Sequence, residues 1–233
     1  MSSLKILSGG AAQGLVASLL PAFKKRTGLD IVGQFGAVGA MADKLREGVP
    51  TDIVILTSAL VAKLVEEKLV LRTSLAAVGA VETAIAVRTG DPKVSVGDTA
   101  ALRAALLASD AIFVPDTKAS TAGIHVAKVL SDLGIADEVA TRLKVYPNGA
   151  TAMRHLAASD ALRPIGCTQA TEIINTEGVE LAGPLPPGCE LKTVYTACVA
   201  AHAARAEAAQ TLINLLTARE LNDLRARAGF LAA

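Results

Sequence analysis

Short unbroken apolar runs alternate along this chain with longer stretches in which apolar residues return every third or fourth position. That is the pattern of buried strands exchanged with amphipathic helices. Leu4 to Leu7 predicts a first strand, and the small-residue loop Ser8 to Gly14 opens a helix that ends near Thr27 and Gly28. Leu29 to Phe35 predicts a second strand, followed by the loop Gly36 to Ala40 and a helix over Met41 to Glu47. Asp52 to Thr57 is a third strand, and Ser58 to Lys68 a helix with Leu60, Val61, Leu64 and Val65 on one stripe. Further strands are expected at Ala84 to Val87, Ala111 to Val114, Leu143 to Tyr146, Pro164 to Cys167 and Leu191 to Ala201. Helices fall between them at Thr99 to Leu107, Thr121 to Leu133, Ala136 to Arg142 and Thr151 to Ala158, with one or two more over Ala204 to Arg227. Gly183 to Gly188, with three prolines, reads as a rigid connector.

Twice in the first 60 residues a strand runs through a Gly-rich turn into a helix. Such turns place backbone N–H groups at one end of a parallel sheet, where open α/β sheets bind ligands. Two in succession point to a small anion.

Composition narrows the choice. Lysine and arginine number 23 against 22 acidic residues, so nothing favours a nucleic-acid or polyanionic partner. Tryptophan is absent and aromatics are 3%, which speaks against a base-stacking surface. No apolar run reaches the ~18 residues of a membrane span. No leader pattern precedes the first strand, giving a cytoplasmic expectation for the chain as written and a periplasmic one if a leader has been removed. Cys167, Cys189 and Cys198 form no C-x-x-C motif and are expected to be reduced and structural. The three histidines lack metal-ligand spacing, and no P-loop, G-x-S-x-G elbow or G-x-G-x-x-G fingerprint occurs. No metal or cofactor is expected.

Several segments, taken in order, carry a resemblance: Phe35-Gly36 through Gly39-Ala40, Gly48 to Ile55, Ala122 to Lys128, and Ala228 to Leu231. Together they resemble the type II periplasmic solute-binding proteins, nearest the molybdate-binding proteins of ABC importers, over essentially the whole chain. The resemblance implies an α/β clamshell of two doubly wound, mostly parallel lobes joined by two crossover strands. Lobe one would hold 1–81 plus 195–233 and lobe two 82–194, with the crossovers at Val81 to Val87 and Thr193 to Val199. A small anionic ligand would lie in the cleft, and an ABC transporter membrane component would be the partner of an exported form.

In the molybdate-binding family, serine hydroxyls of the first two loops, later backbone N–H groups and a tyrosine hydroxyl hold the oxyanion. By the resemblance those hydroxyl positions fall here on Gly10-Ala11-Ala12, Ala37-Val38 and Cys167. Three donors are therefore missing, at roughly 1.5–3 kcal/mol per charge-assisted bond, which turns the expectation away from molybdate. Backbone donors are expected at Gly10, Ala11, Val38, Gly39, Thr57, Ala122 and Ala150, with side chains of Gln13, Ser120, Thr121, Thr168 and Gln169 around them. Amides and hydroxyls in that arrangement suit an organic acid with several carboxylates, although Ser120 and Thr121 also read as ordinary helix caps.

Aconitate isomerase shares the scaffold of this family. The resemblance therefore extends to an isomerase that moves a double bond by an allylic proton shift. His125, in the first turn of a helix where the dipole favours neutral imidazole, is the candidate base. Lys118 is a second candidate. The alternative is a binding protein for molybdate or another small anion, serving an importer or an intracellular sensor.

Overall fold

The computed structural model describes residues 3–232. The chain divides into two compact units: one runs to Val81 and resumes at Thr193, and the other is Glu82–Lys192.

In the first unit, β1 (Ser3–Gly9) pairs in parallel with β2 (Asp30–Gly36) and β3 (Ile53–Thr57), and β9 (Lys192–Val199) adds antiparallel to β3. The helices between these strands are α1 (Gln13–Thr27), α2 (Val38–Arg46) and α3 (Ser58–Glu66). The chain closes with α9 (Ala206–Thr217) and α10 (Asn222–Arg227), and α9 packs on α1. Ile53, Val54, Ile55 and Leu56 are all buried, as a strand covered on both faces must be.

The second unit takes β4 (Ala76–Arg88) from Glu82 onward. Its sheet runs β4, β7 (Pro164–Gln169), β5 (Ala111–Pro115), β6 (Leu143–Tyr146), with β8 (Val179–Pro184) on the other side of β4. Strand β5 is parallel to β6 and β7, while β4 is antiparallel to β7 and β8. Helices α4 (Thr99–Ala108), α5 (Thr121–Asp132), α6 (Ala136–Val139), α7 (Gly149–Ala157) and α8 (Ala170–Ile174) cover it. Alternation along β7 sends Ile165 and Cys167 into a cluster with Leu102, Val126 and Leu130. On the opposite face, the Cα of Gly166 lies under Met153 and Leu156 of α7.

Three elements differ from the sequence expectation. Strand β4 begins five residues before the expected Val81 crossover and eight before the Ala84 run, because its first residues are mostly alanine and glycine, which carry little strand signal. Residues 179–184, where the connector was expected to begin, form β8, an edge strand in which the terminal Pro184 needs no donor. The short α8 was not expected at all.

Candidate functional site

Strand-to-helix junctions build the candidate site in each unit, and what distinguishes them is whether their first N–H groups are already used. A helix leaves four N–H groups without intrahelical partners, and a cap or a ligand must satisfy them.

In the first unit, a 3₁₀ turn over Gly10–Ala12 leads from β1 into α1, and no side chain caps it. Ser8, the one hydroxyl at the end of β1, is buried and donates to the Gly9 carbonyl at 2.9 Å. Ala37, before α2, supplies no cap either. These two entries adjoin: a Cβ added at Gly9 would stand 2.8 Å from Val38 Cγ1 and 2.9 Å from Tyr195 Cε1. The donors expected at Gly10, Ala11, Val38 and Gly39 thus share one place, while Gln13 is solvent-exposed at the start of α1. Thr57 differs, since its hydroxyl accepts the Leu60 N–H at 3.4 Å and so caps α3. Ser58 Oγ lies 2.7 Å from Thr196 Oγ1.

In the second unit, Ser120 stands in the cap position of α5 without making a cap bond. The Thr121 and Ala122 end of α5 therefore has no side-chain cap. Just before it, Asp116 accepts the N–H groups of Lys118 and Ala119 at 2.7 and 2.9 Å, and these bonds hold its carboxyl below the usual range. Lys118 itself is exposed. One turn into α5, His125 Nε2 lies 2.8 Å from the Cys189 carbonyl oxygen. A carbonyl only accepts, so this contact places a proton on Nε2 and leaves Nδ1 as the basic nitrogen of the neutral ring.

The N-terminus of α7 is closed. Asn148 accepts the Thr151 N–H at 2.8 Å, and a carboxylate that sequence reading passed over occupies the rest. Glu172 is buried and accepts the Thr168 hydroxyl at 2.6 Å together with the N–H groups of Gly149, Ala150 and Gln169. Burial pushes its carboxyl above the ordinary range, and those four bonds oppose the shift. The fit is close enough that a Cβ on Gly149 would come within 1.9 Å of Glu172 Oε2. The Ala150 donor and the Thr168 hydroxyl are therefore committed inside the protein. A local signal existed: Glu172 is the third residue of α8 after Gln169, where a capping-box carboxylate reaches back to the cap N–H.

Gln169 is a different case. Its side chain is 3% exposed, and neither its amide nitrogen nor its oxygen has a partner. Thr83, also missed from sequence, lies opposite it in the β4–β7 register with its hydroxyl likewise unpaired. Among the described residues, no group of three or more His, Cys, Asp or Glu is placed to hold a metal, and no helix is long and apolar enough to cross a membrane.

Helix entries at the carboxyl ends of mostly parallel strands, repeated in two α/β units, are the arrangement of a solute-binding protein of the periplasmic type. The chain belongs to the family described as "Bacterial extracellular solute-binding protein", which matches residues 4–231. An aconitate isomerase of a Pseudomonas species is 24% identical over 229 residues, spanning 94% of this chain and 84% of its own. The periplasmic molybdate-binding protein of Azotobacter vinelandii superposes with a TM-score of 0.81 at 18% identity, over 99% of this chain and 100% of that one. A sulfate-binding protein of Mycobacterium tuberculosis gives 0.76 at 19% identity, over 99% of this chain and 86% of that one.

Proposed function

We propose that the chain binds a small organic acid with several carboxylates and isomerises it by an allylic proton shift, an activity of the aconitate isomerase type. The observation that carries this reading is the state of the helix entries. A compact dianionic oxyanion needs many donors converging on one point, yet the α7 entry is filled by Glu172 and the first two loops offer N–H groups without hydroxyls. What remains open are the Gly10 and Gly39 entries of the first unit and the Ala122 entry of the second. Separate N–H sets suit separate carboxylates. The aconitate isomerase, similar over nearly the whole chain, supports the choice of acid.

In this reading His125 is the base. Its Nε2–H is held by the Cys189 carbonyl, so Nδ1 removes a proton from the allylic carbon. The C–H electron pair delocalises into a dienolate whose charge rests on a ligand carboxylate facing helix N–H groups. His125 then returns the proton at the far end of the allyl system. The double bond moves, and nothing is oxidised or reduced. Exposed Lys118 contributes positive charge nearby in sequence.

A second reading follows from the family description and the two oxyanion-binding structural relatives: a solute receptor for molybdate or a similar anion, working outside the cytoplasm for an importer. Thermal unfolding against molybdate, sulfate and both aconitate isomers separates the two. Stabilisation by the aconitates, with a change in ultraviolet absorbance as one isomer converts to the other, is expected, and His125→Ala should lower turnover at least 100-fold. Stabilisation by molybdate alone would overturn the isomerase reading.

A further inference from the structure

Among the described residues of the second unit, Thr83 and Gln169 face each other on adjacent strands with buried polar atoms left without partners, and the Thr171 hydroxyl on α8 is unpaired as well. Directly opposed residues of an antiparallel pair point to the same face with their Cβ atoms about 5 Å apart. Thr83 and Gln169 are opposed in the β4–β7 register, and Ile85 and Cys167, two residues along on the same face, are likewise opposed. Ile85 and Cys167 pack in the core cluster with Val126 and Val129 of α5. The backbone around Thr83 is fully used: its N–H donates to the Leu191 carbonyl at 3.0 Å, and its carbonyl accepts the Leu185 N–H at 3.1 Å. Only the side chains are unsatisfied, at 1% and 3% exposure.

Buried polar atoms without partners are rare, because each carries the full cost of leaving water. Together these two side chains offer a hydroxyl that donates and accepts, an NH₂ that donates twice and a carbonyl that accepts. Such a set does not suit a bare anion, which would leave the Gln169 oxygen facing another acceptor. It suits a neutral group that gives and takes a hydrogen bond.

We propose that Thr83 and Gln169 form a subsite for an uncharged polar group of the ligand, a hydroxyl or a protonated carboxyl, distinct from the uncapped α5 entry of the same unit. The proposal rests on the organic-acid reading for the nature of the ligand, but the subsite itself rests on the unpaired atoms. Its role is to select, among acids of one size and charge, those with a hydroxyl or acidic proton in the right place.

The test uses Thr83→Val and Gln169→Leu, which remove the polar atoms with little change of volume, in the full chain. Without ligand, each variant should melt about 2–4 °C higher than the wild type, since an unpaired buried group has been replaced by an apolar one. By calorimetric titration, the wild type should bind citrate about tenfold more tightly than tricarballylate, which differs by one hydroxyl, a ratio equivalent to one net hydrogen bond. That ratio should fall towards one in both variants. A lower melting temperature in both variants would assign the pair to an internal water network and overturn the subsite, as would an unchanged citrate preference. If neither acid bound the wild type, the organic-acid reading would fall, and the melting temperatures of the two variants would still decide the subsite.

Discussion

Glu172→Ala tests whether the carboxylate seated at α7 has the structural weight its bonds imply. Removing it deprives the Thr168 hydroxyl and the N–H groups of Gly149, Ala150 and Gln169 of their acceptor. Each buried donor left unpaired costs about 1–3 kcal/mol, and the favourable interaction of the anion with the α7 dipole, about 0.3–1 kcal/mol, is lost as well. Two effects reduce the total. The Thr168 hydroxyl rotates to another acceptor, and a water entering the vacated space satisfies two or more donors. With one or two N–H groups still orphaned, the net loss is about 2–4 kcal/mol. For a chain of this length that corresponds to a fall in Tm of roughly 4–16 °C. Calorimetry and urea unfolding followed by circular dichroism measure it. Formate, which fits the vacated seat, should restore part of the loss in the variant and do nothing for the wild type; at 100 times its dissociation constant, it would return about 2.7 kcal/mol. A loss below about 0.5 kcal/mol, the range of an ordinary surface change, together with no formate effect, would refute the assignment.

Three further outcomes follow from the same geometry. Because burial raises the Glu172 carboxyl in the folded protein, the folded state holds its proton at a pH where the unfolded chain has released it. The stability advantage of wild type over Glu172→Ala should therefore be largest below the ordinary carboxyl range and shrink as pH rises, by at most about 1.4 kcal/mol per pH unit; an advantage that grew with pH in parallel urea titrations would reverse the sign of the argument. Gly149→Ala, though favourable for helix propensity, brings a Cβ within 2.1 Å of Thr168 Oγ1 and should destabilise by about 1–3 kcal/mol, less in a Glu172→Ala background, so a double-mutant cycle that came out additive would place the two residues apart. Burial pushes the Cys167 and Cys198 thiols up to about 12, so at pH 8 iodoacetamide should leave both unmodified in the native protein and alkylate them in urea; mass spectrometry finding either labelled without denaturant would contradict that burial.

The elements most legible in the sequence were those with strong periodicity and a clear stop. Helix α1 runs to Thr27 and β3 ends at Thr57, as their apolar patterns indicated. The α/β class followed from that alternation, and the family carries the same fold. Segments decided by tertiary pairing were not legible. The first half of β4 is small and weakly apolar, and it is held as strand by its neighbours, among them a bridge from Ala80 to Leu231. Open helix entries were legible where they lay in one loop: Gly10 and Gly39 stand at uncapped entries because short side chains leave nothing to cap with. Chemistry was not legible where partners came from distant segments. Glu172 lies 22 residues beyond Ala150, and Thr83 lies 86 residues before Gln169, so the Glu172 contact to the Gln169 N–H alone leaves a local trace.

The distribution of caps explains how one fold carries ligands of different chemistry. Every helix that follows a parallel strand offers the same N–H groups, so the backbone alone does not select a ligand. Selection lies in which entries the protein closes with its own side chains. Here Thr57 closes α3, and Asn148 with Glu172 closes α7. The entries to α1, α2 and α5 remain without side-chain caps. An internal carboxyl is a stronger exclusion than a missing serine, because it already occupies the donors an incoming anion would need. Uncapped loops before α1 and α2 keep their N–H groups available, whereas Glu172 leaves the α7 entry none. A single acidic residue three positions into a short helix thus decides whether the α7 entry offers any donors at all.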